Sequence, residues 1–171
     1  MRTPVIASAL LLSACAGFQP LHQATGSVGE AASLAPLQAI AIDAGYRDDS
    51  DDKRAAYLIR QALEERVGGA VAPLYTLKLT PRAQRAGLAV GTDDVASRYD
   101  YNLYTAYRLE DRKSGKVLTR GNIYSTASFG APRDPYGRIS AEVNAAEQAA
   151  AQAADDLILE LALYLAGPGA E

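Results

Sequence analysis

The stretch Ser97 to Ser125, SRYDYNLYTAYRLEDRKSGKVLTRGNIYS, decides the fold. Its period is two: Tyr99, Tyr101, Leu103, Thr105, Tyr107 and Leu109 point one way, and Arg98, Asp100, Asn102, Tyr104, Ala106, Arg108 and Glu110 point the other. Alternation of that kind marks a strand with one face on a core and one in solvent. Lys113-Ser114-Gly115-Lys116 then fits a hairpin turn in which Gly115 takes the left-handed position of a type I turn with a bulge. That turn sets Arg112 opposite Lys116, and so Tyr107 opposite Gly121, Thr105 opposite Ile123 and Leu103 opposite Ser125. Large residues face small ones, which suits a sheet face covered by helices. A two-residue turn would slip the register by one and put Arg120 and Asn122 on the apolar face, so it is rejected.

Upstream, Tyr75, Leu77 and Leu79 alternate with Thr76, Lys78, Thr80 and Arg82, a second half-buried strand. Gly87 to Ser97 reads as the loop between the two. Gln38, Ile40 and Ile42 make a short first strand that ends at Asp43-Ala44-Gly45. Asp48-Asp49-Ser50-Asp51-Asp52 gathers N-capping side chains and negative charge at a helix start, and Ala55, Leu58, Ile59, Ala62, Leu63 and Val67 recur at helical spacing. Gly68-Gly69 ends that helix through a left-handed cap. Downstream, Gly130 to Arg138 reads as a loop and Ser140 as the cap of a long helix with the stripe Val143, Ala146, Ala150, Ala154, Leu157, Ile158, Leu161 and Leu165, stopped at Gly167-Pro168. The order β-α-β-β-β-α predicts a single domain over 37–167, a two-layer α+β sandwich of two helices on a four-stranded sheet. The second sheet face is left without a covering layer.

Composition narrows the function. The 171 residues contain one histidine, His22, and one cysteine, Cys15, so neither an internal disulfide nor a multi-cysteine zinc site is available. A formal net charge of −3 argues against nucleic-acid binding, which needs a surplus of Lys and Arg. No apolar run approaches the roughly 20 residues of a membrane-spanning helix. The chain has no Gly-x-Ser-x-Gly or Walker loop and no positioned base beside its serines, so the expectation is no catalytic residue, no cofactor, no metal and no enzyme activity.

The N-terminus carries the most specific motif. Met1-Arg2, the apolar run Val5 to Leu12 and then Leu12-Ser13-Ala14-Cys15 read as an export leader over 1–14 ending in a lipobox, with Cys15 as the acylated residue. Residues 15–36 form a lipidated N-terminus and tether, rich in Gly, Ala, Ser and Thr after His22. Ala16 and Gly17 stand where an Asp would resemble an inner-membrane retention signal, so the expected location is the outer membrane, lipid-anchored, on the periplasmic side.

Between Ala70 and Gly91 lie Lys78, Arg82 and Arg85 with no acid. This strip could receive an anionic ligand such as a phosphorylated glycolipid, but on its own it fits an ordinary solvated strand face better. Arg108, Arg112, Lys113, Lys116 and Arg120 add further bases on the third strand and its hairpin.

With the lipobox and the element order, Gly17-Phe18-Gln19-Pro20-Leu21 makes the chain resemble the lipopolysaccharide-assembly lipoprotein family LptE. The family's mature N-terminus is similar, Gly-Phe-x-Pro-Leu-Tyr; here Ala16 intervenes after the cysteine and His22 replaces the Tyr. Arg60-x-x-Leu63-x-x-x-Val67, Tyr75 to Leu79, Ser97-Arg98-Tyr99, Tyr107-Arg108-Leu109, Ser114-Gly115-Lys116 and the closing pattern Ala146-Glu147 through Asp156-Leu157 extend the likeness along the chain. The resemblance implies an outer-membrane lipoprotein that plugs an LptD-like β-barrel, helps it assemble and assists delivery of lipopolysaccharide to the cell surface. It implies barrel contacts at Phe18, Leu21, Arg98, Tyr104 and Arg108 and makes Lys78, Arg82 and Arg85 candidate lipopolysaccharide contacts. The competing reading is a periplasm-facing lipoprotein auxiliary of a lipid-transport ATPase, without a barrel.

Anchoring is expected to depend on Cys15 alone, through acyl chains that contribute about 0.8 kcal/mol per buried methylene. Cys15→Ala should block lipidation and processing. A chain starting at Ala16 behind an ordinary cleavable export signal should fractionate with soluble protein in cells lacking the barrel; its retention on membranes would refute the anchor.

Overall fold

The computed structural model describes residues 36–46, 50–90, 96–130, 132 and 134–167. The leader and all of the tether except Pro36, and with them Cys15, Phe18 and Leu21, lie outside the described residues. A 3-10 turn (Leu37–Ala39) precedes β1 (Ile40–Ala44), α1 (Ser50–Val67), β2 (Tyr75–Val90), β3 (Ala96–Asp111), β4 (Val117–Gly130) and α2 (Pro135–Ala166). The sheet runs β1-β2-β3-β4, with β1 parallel to β2 and the other pairs antiparallel. The architecture is therefore the two-layer α+β sandwich that the alternation predicts. Leu77, Leu79, Leu103, Leu109 and Ile123 from the sheet bury against Ile59, Leu63, Leu157 and Leu161 from the helices. Each such side chain contributes on the order of 1.5–3 kcal/mol by leaving water.

The hairpin register holds at its centre and shifts at its end. Tyr107 pairs with Gly121, Thr105 with Ile123 and Leu103 with Ser125, and Gly115 has φ +70°. Near the turn, however, Asp111 rather than Arg112 faces Lys116, with the Asp111 N–H donating to the Lys116 carbonyl at 2.9 Å. The register then steps between Leu109 and Glu110, so that Leu109 pairs with Thr119 and Glu110 with Val117. Leu118 is the extra residue, a bulge that restores the pairing the core requires.

Four boundaries differ from the sequence reading. Gln38 belongs to the 3-10 turn, which starts from Pro36 in a helical conformation and buries Leu37. β2 and β3 extend into the expected loop from Gly87 to Ser97, because pairing with β3 holds Gly87 to Val90 through two register shifts despite weak strand propensity. α2 begins at Pro135, not after Ser140: the Asp134 carboxylate accepts from the Gly137 N–H at 2.7 Å, and proline suits the first helical position. Its buried stripe is also two residues wide, with Ala145, Ala149 and Ala153 beside Ala146, Ala150 and Ala154. The small side chains let α2 approach α1 and the sheet together.

Asp52 corrects the capping assignment. It is buried, and its carboxylate accepts from the Ala83 backbone N–H of β2 at 3.0 Å instead of capping its own helix. β1 ends opposite Leu79, so β2 beyond that point has an unpaired edge. The Gly45 N–H donates to the Leu79 carbonyl, which shows that residue 79, and by alternation 81 and 83, turn their backbone groups to that edge. Proline at 81 therefore removes no ladder bond, and Asp52 satisfies the next exposed donor.

A Cβ on Gly121 would sit 2.8 Å from Cε1 of Tyr107. Gly121→Ala should destabilise by about 1–3 kcal/mol through overpacking, and Tyr107→Ala by about 3 kcal/mol through loss of a buried ring. Urea melts should show the Gly121→Ala penalty shrinking sharply in a Tyr107→Ala background, while Tyr104→Ala on the open face costs much less than Tyr107→Ala. Additive effects of the first pair would contradict the contact.

Candidate functional site

The residues with even numbers on β3, on β2 up to Ala86 and on β4 from Arg120 onward form the face that no helix covers, and pairing arranges them in rows. Lys78, Arg108 and Arg120 stand side by side on the three strands. The adjoining row is Thr80, Ala106 and Asn122, and beyond it stand Arg82, Tyr104 and Tyr124, then Gln84, Asn102 and Thr126. Directly opposed residues in antiparallel strands have Cα atoms roughly 5 Å apart, so the three cations are immediate neighbours. Ala106 lacks the bulk to fill its place, and a shallow concavity of about 730 Å³ opens there, lined by Lys78, Thr80, Arg108, Arg120 and Asn122 with Asp43 at its rim.

Glu110 holds the cation row together. Its carboxylate accepts from Lys78 Nζ at 2.8 Å and forms an ion pair with Arg108, whose Nε lies 2.9 Å away. The hydrogen bond from Lys78, reinforced by the two positive charges, keeps its pKa below the usual carboxylate range. A folded pKa below the unfolded one means that its stabilising contribution is full at neutral pH and is lost as pH falls below about 4. Arg120 makes no ion pair among the described residues.

An aromatic platform lies two rows further along the face. Tyr104 and Tyr124, each about half exposed, lie 4.9 Å apart between ring centroids. The Tyr124 hydroxyl donates to Asn102 Oδ1 at 2.8 Å, and the Thr126 hydroxyl donates to the same oxygen at 3.0 Å. These bonds orient the ring without burying it.

The three bases singled out from the sequence do not come together. Lys78 and Arg82 share the open face, but Arg85 has odd parity and reaches into the helix layer, where it pairs with Asp51 at 3.4 Å and Glu142 at 3.1 Å. The strip lacks acids only along the chain, because α1, α2 and β3 supply them in space. Arg98, Tyr104 and Arg108 share the open face as expected. Arg98 and Arg108 nonetheless stand ten residues apart on one strand, roughly 30 Å, and so belong to opposite ends of it. The sequence reading counts Arg120 among the hairpin bases and Glu110 on the outward face but assigns neither a contact. The hairpin register already set Arg120 opposite Arg108; nothing in the sequence set Lys78 beside them.

Elsewhere, the described residues include no group of three His, Cys, Asp or Glu side chains able to hold a metal. The Tyr101 hydroxyl is buried without a hydrogen-bond partner at a small hollow lined by Asp51, Arg54, Ile139 and Glu142, and burial pushes its pKa up to about 12. A phenol held neutral there has no base role near neutral pH.

Solved structures share this architecture. A candidate lipoprotein from Caulobacter crescentus CB15 is 29% identical and superimposes with a TM-score of 0.64 over 78% of this chain and 95% of its own. Rare lipoprotein B from Shewanella oneidensis gives a TM-score of 0.53 at 16% identity over 72% of this chain and 93% of its own. A minor lipoprotein from Acinetobacter baumannii gives 0.50 at 13% identity over 72% and 90%. No protein-family model and no curated protein matches the chain. The chain thus has the fold of these lipoproteins.

Glu110→Gln removes the anion between Lys78 and Arg108, so affinity of the open face for inorganic triphosphate at low ionic strength should rise several-fold. The gain should fade in salt, as screened charge interactions do. Calorimetric titration of the two proteins measures it, and equal affinities would show that the row is not an anion site.

Proposed function

We propose that the protein is an outer-membrane lipoprotein, anchored on the periplasmic side by acyl chains at Cys15, that plugs and helps assemble an LptD-like β-barrel and assists lipopolysaccharide delivery to the cell surface. It acts by binding and not by catalysis. The observation that carries this reading is the uncovered sheet face, which bears both a row of cations and a tyrosine pair on a fold shared with lipoproteins. A face that mixes cations, amides and aromatics suits a polar barrel lumen better than it suits lipid. None of the described helices is long and apolar enough to cross a membrane.

The two ends of the face divide the work. Near the hairpin, Lys78, Arg108 and Arg120 receive the phosphates of lipopolysaccharide through charge-assisted hydrogen bonds, and Arg82, two rows further along the face beside Tyr104, adds charge; Arg85, tied to the helices, takes no part. Toward the other end, Tyr104 and Arg98 lean on the barrel wall, with Phe18 and Leu21 adding contacts from the N-terminal segment.

Affinity capture from native membranes in detergent should recover the barrel in a one-to-one complex. Photo-crosslinkers at Tyr104 and at Tyr136, exposed in the first turn of α2, should trap it, while one at the buried Leu157 should not. Joint substitution of Lys78, Arg108 and Arg120 by Gln should weaken lipopolysaccharide binding and flatten its salt dependence, whereas Arg85→Gln should leave binding unchanged. A complex without crosslinks from Tyr104 would refute the docking face; absence of any barrel would refute the partner.

A further inference from the structure

We infer that the outer edge of β4 is a docking site for an extended, basic strand of a partner protein, which joins the sheet as a fifth strand. The backbone pattern follows from bonds already described. The Leu79 carbonyl turns toward β1, so Leu79 and Tyr107 are not bonded to one another; Tyr107 then bonds to Gly121, and the groups of Asn122, Tyr124, Thr126 and Ser128 point outward. No strand pairs with that edge among the described residues. From Asn122 to Phe129 the edge has neither a charged residue nor a proline, the devices that usually blunt an open strand. The opposite border of the sheet, β1, is only five residues long.

A groove of about 350 Å³ runs beside this edge, between β4 and α2. Leu159 and Leu163 line it and are 61% and 66% exposed, apolar residues that an incoming strand would cover. Its charged lining residues are Asp156 and Glu160, with no base to answer them, and Glu160 is already engaged with the Tyr107 hydroxyl. Single-sign lining selects a strand whose helix-facing side chains alternate apolar with Lys or Arg. A second copy fits poorly, because antiparallel β4 pairing would bring Asp156 and Glu160 of both copies together around the axis.

The full-length chain, produced without lipidation, should be titrated with the capped peptide TLTKTLTKT while amide exchange is followed by residue. Exchange at Asn122, Tyr124, Thr126 and Ser128 should slow about tenfold or more, with Ile123, Ser125 and Ala127 unchanged. The counterpart TLTETLTET should have no effect. Thr126→Pro removes an outward N–H, together with the exposed hydroxyl bond to Asn102, and should abolish protection; should that variant fail to fold, Leu163→Lys on the exposed helix face should weaken binding of the lysine peptide. Failure of the lysine peptide to protect, or equal protection by both peptides, overturns the site. Protection present without peptide, or rising with protein concentration, overturns the choice of occupant in favour of the chain itself or a second copy. None of these readouts depends on the barrel or on lipopolysaccharide.

Discussion

The Tyr107 ring occupies the space where a side chain at position 121 would stand, and the rest of the molecule is arranged around that contact. It fixes the pairing of β3 with β4 at one register, since a slip of one residue would set the ring against Asn122 or Arg120. Once that register is set, the odd residues from Tyr101 to Leu109 and from Thr119 to Phe129 face the helices and the even ones between them face away. The ring is anchored at its far end too: burial, and then the hydrogen bond to Glu160 on α2, raise its pKa above the ordinary tyrosine value. Sheet register and helix position are therefore coupled through one side chain.

That coupling explains why the open face is a set of rows. Residues separated by thirty or forty positions, such as Lys78, Arg108 and Arg120, become neighbours because three strands share one phase. Glu110 keeps the row compatible with folding by neutralising part of its charge, and a carboxylate held that way is available to be displaced by a stronger anion. The same phase sends Arg85 to the opposite layer, where Asp51 and Glu142 brace the start of both helices against β2. Two bases seven residues apart in one strand thus take unrelated roles.

The sheet borders follow a different logic. β2 outlasts its partner β1, and the exposed stretch is managed by Pro81, whose missing N–H falls on the open side, and by Asp52, which reaches from α1 to satisfy Ala83. β4 has a long outer edge with neither device along Asn122 to Phe129. An edge protected on one side of a sheet and bare on the other is an asymmetry that stability alone does not require.

The sequence by itself determined the element order, the two faces of the sheet, the turn glycine and the hairpin's central pairs, because these depend on alternation, helical spacing and glycine's access to positive φ, all local properties. The start of the closing helix at Asp134-Pro135 is not among these: the sequence reading sets it at Ser140, and the structure moves it upstream. Only the tertiary structure decided that Asp52 serves β2, that Arg85 leaves the cationic strip, that Leu118 bulges to reconcile the turn with the core, and that β2 and β3 continue through a glycine-containing segment of weak strand propensity. Each of these depends on which atoms from a distant element fill a vacant hydrogen bond or neutralise a charge, and spacing along the chain holds no record of that distance.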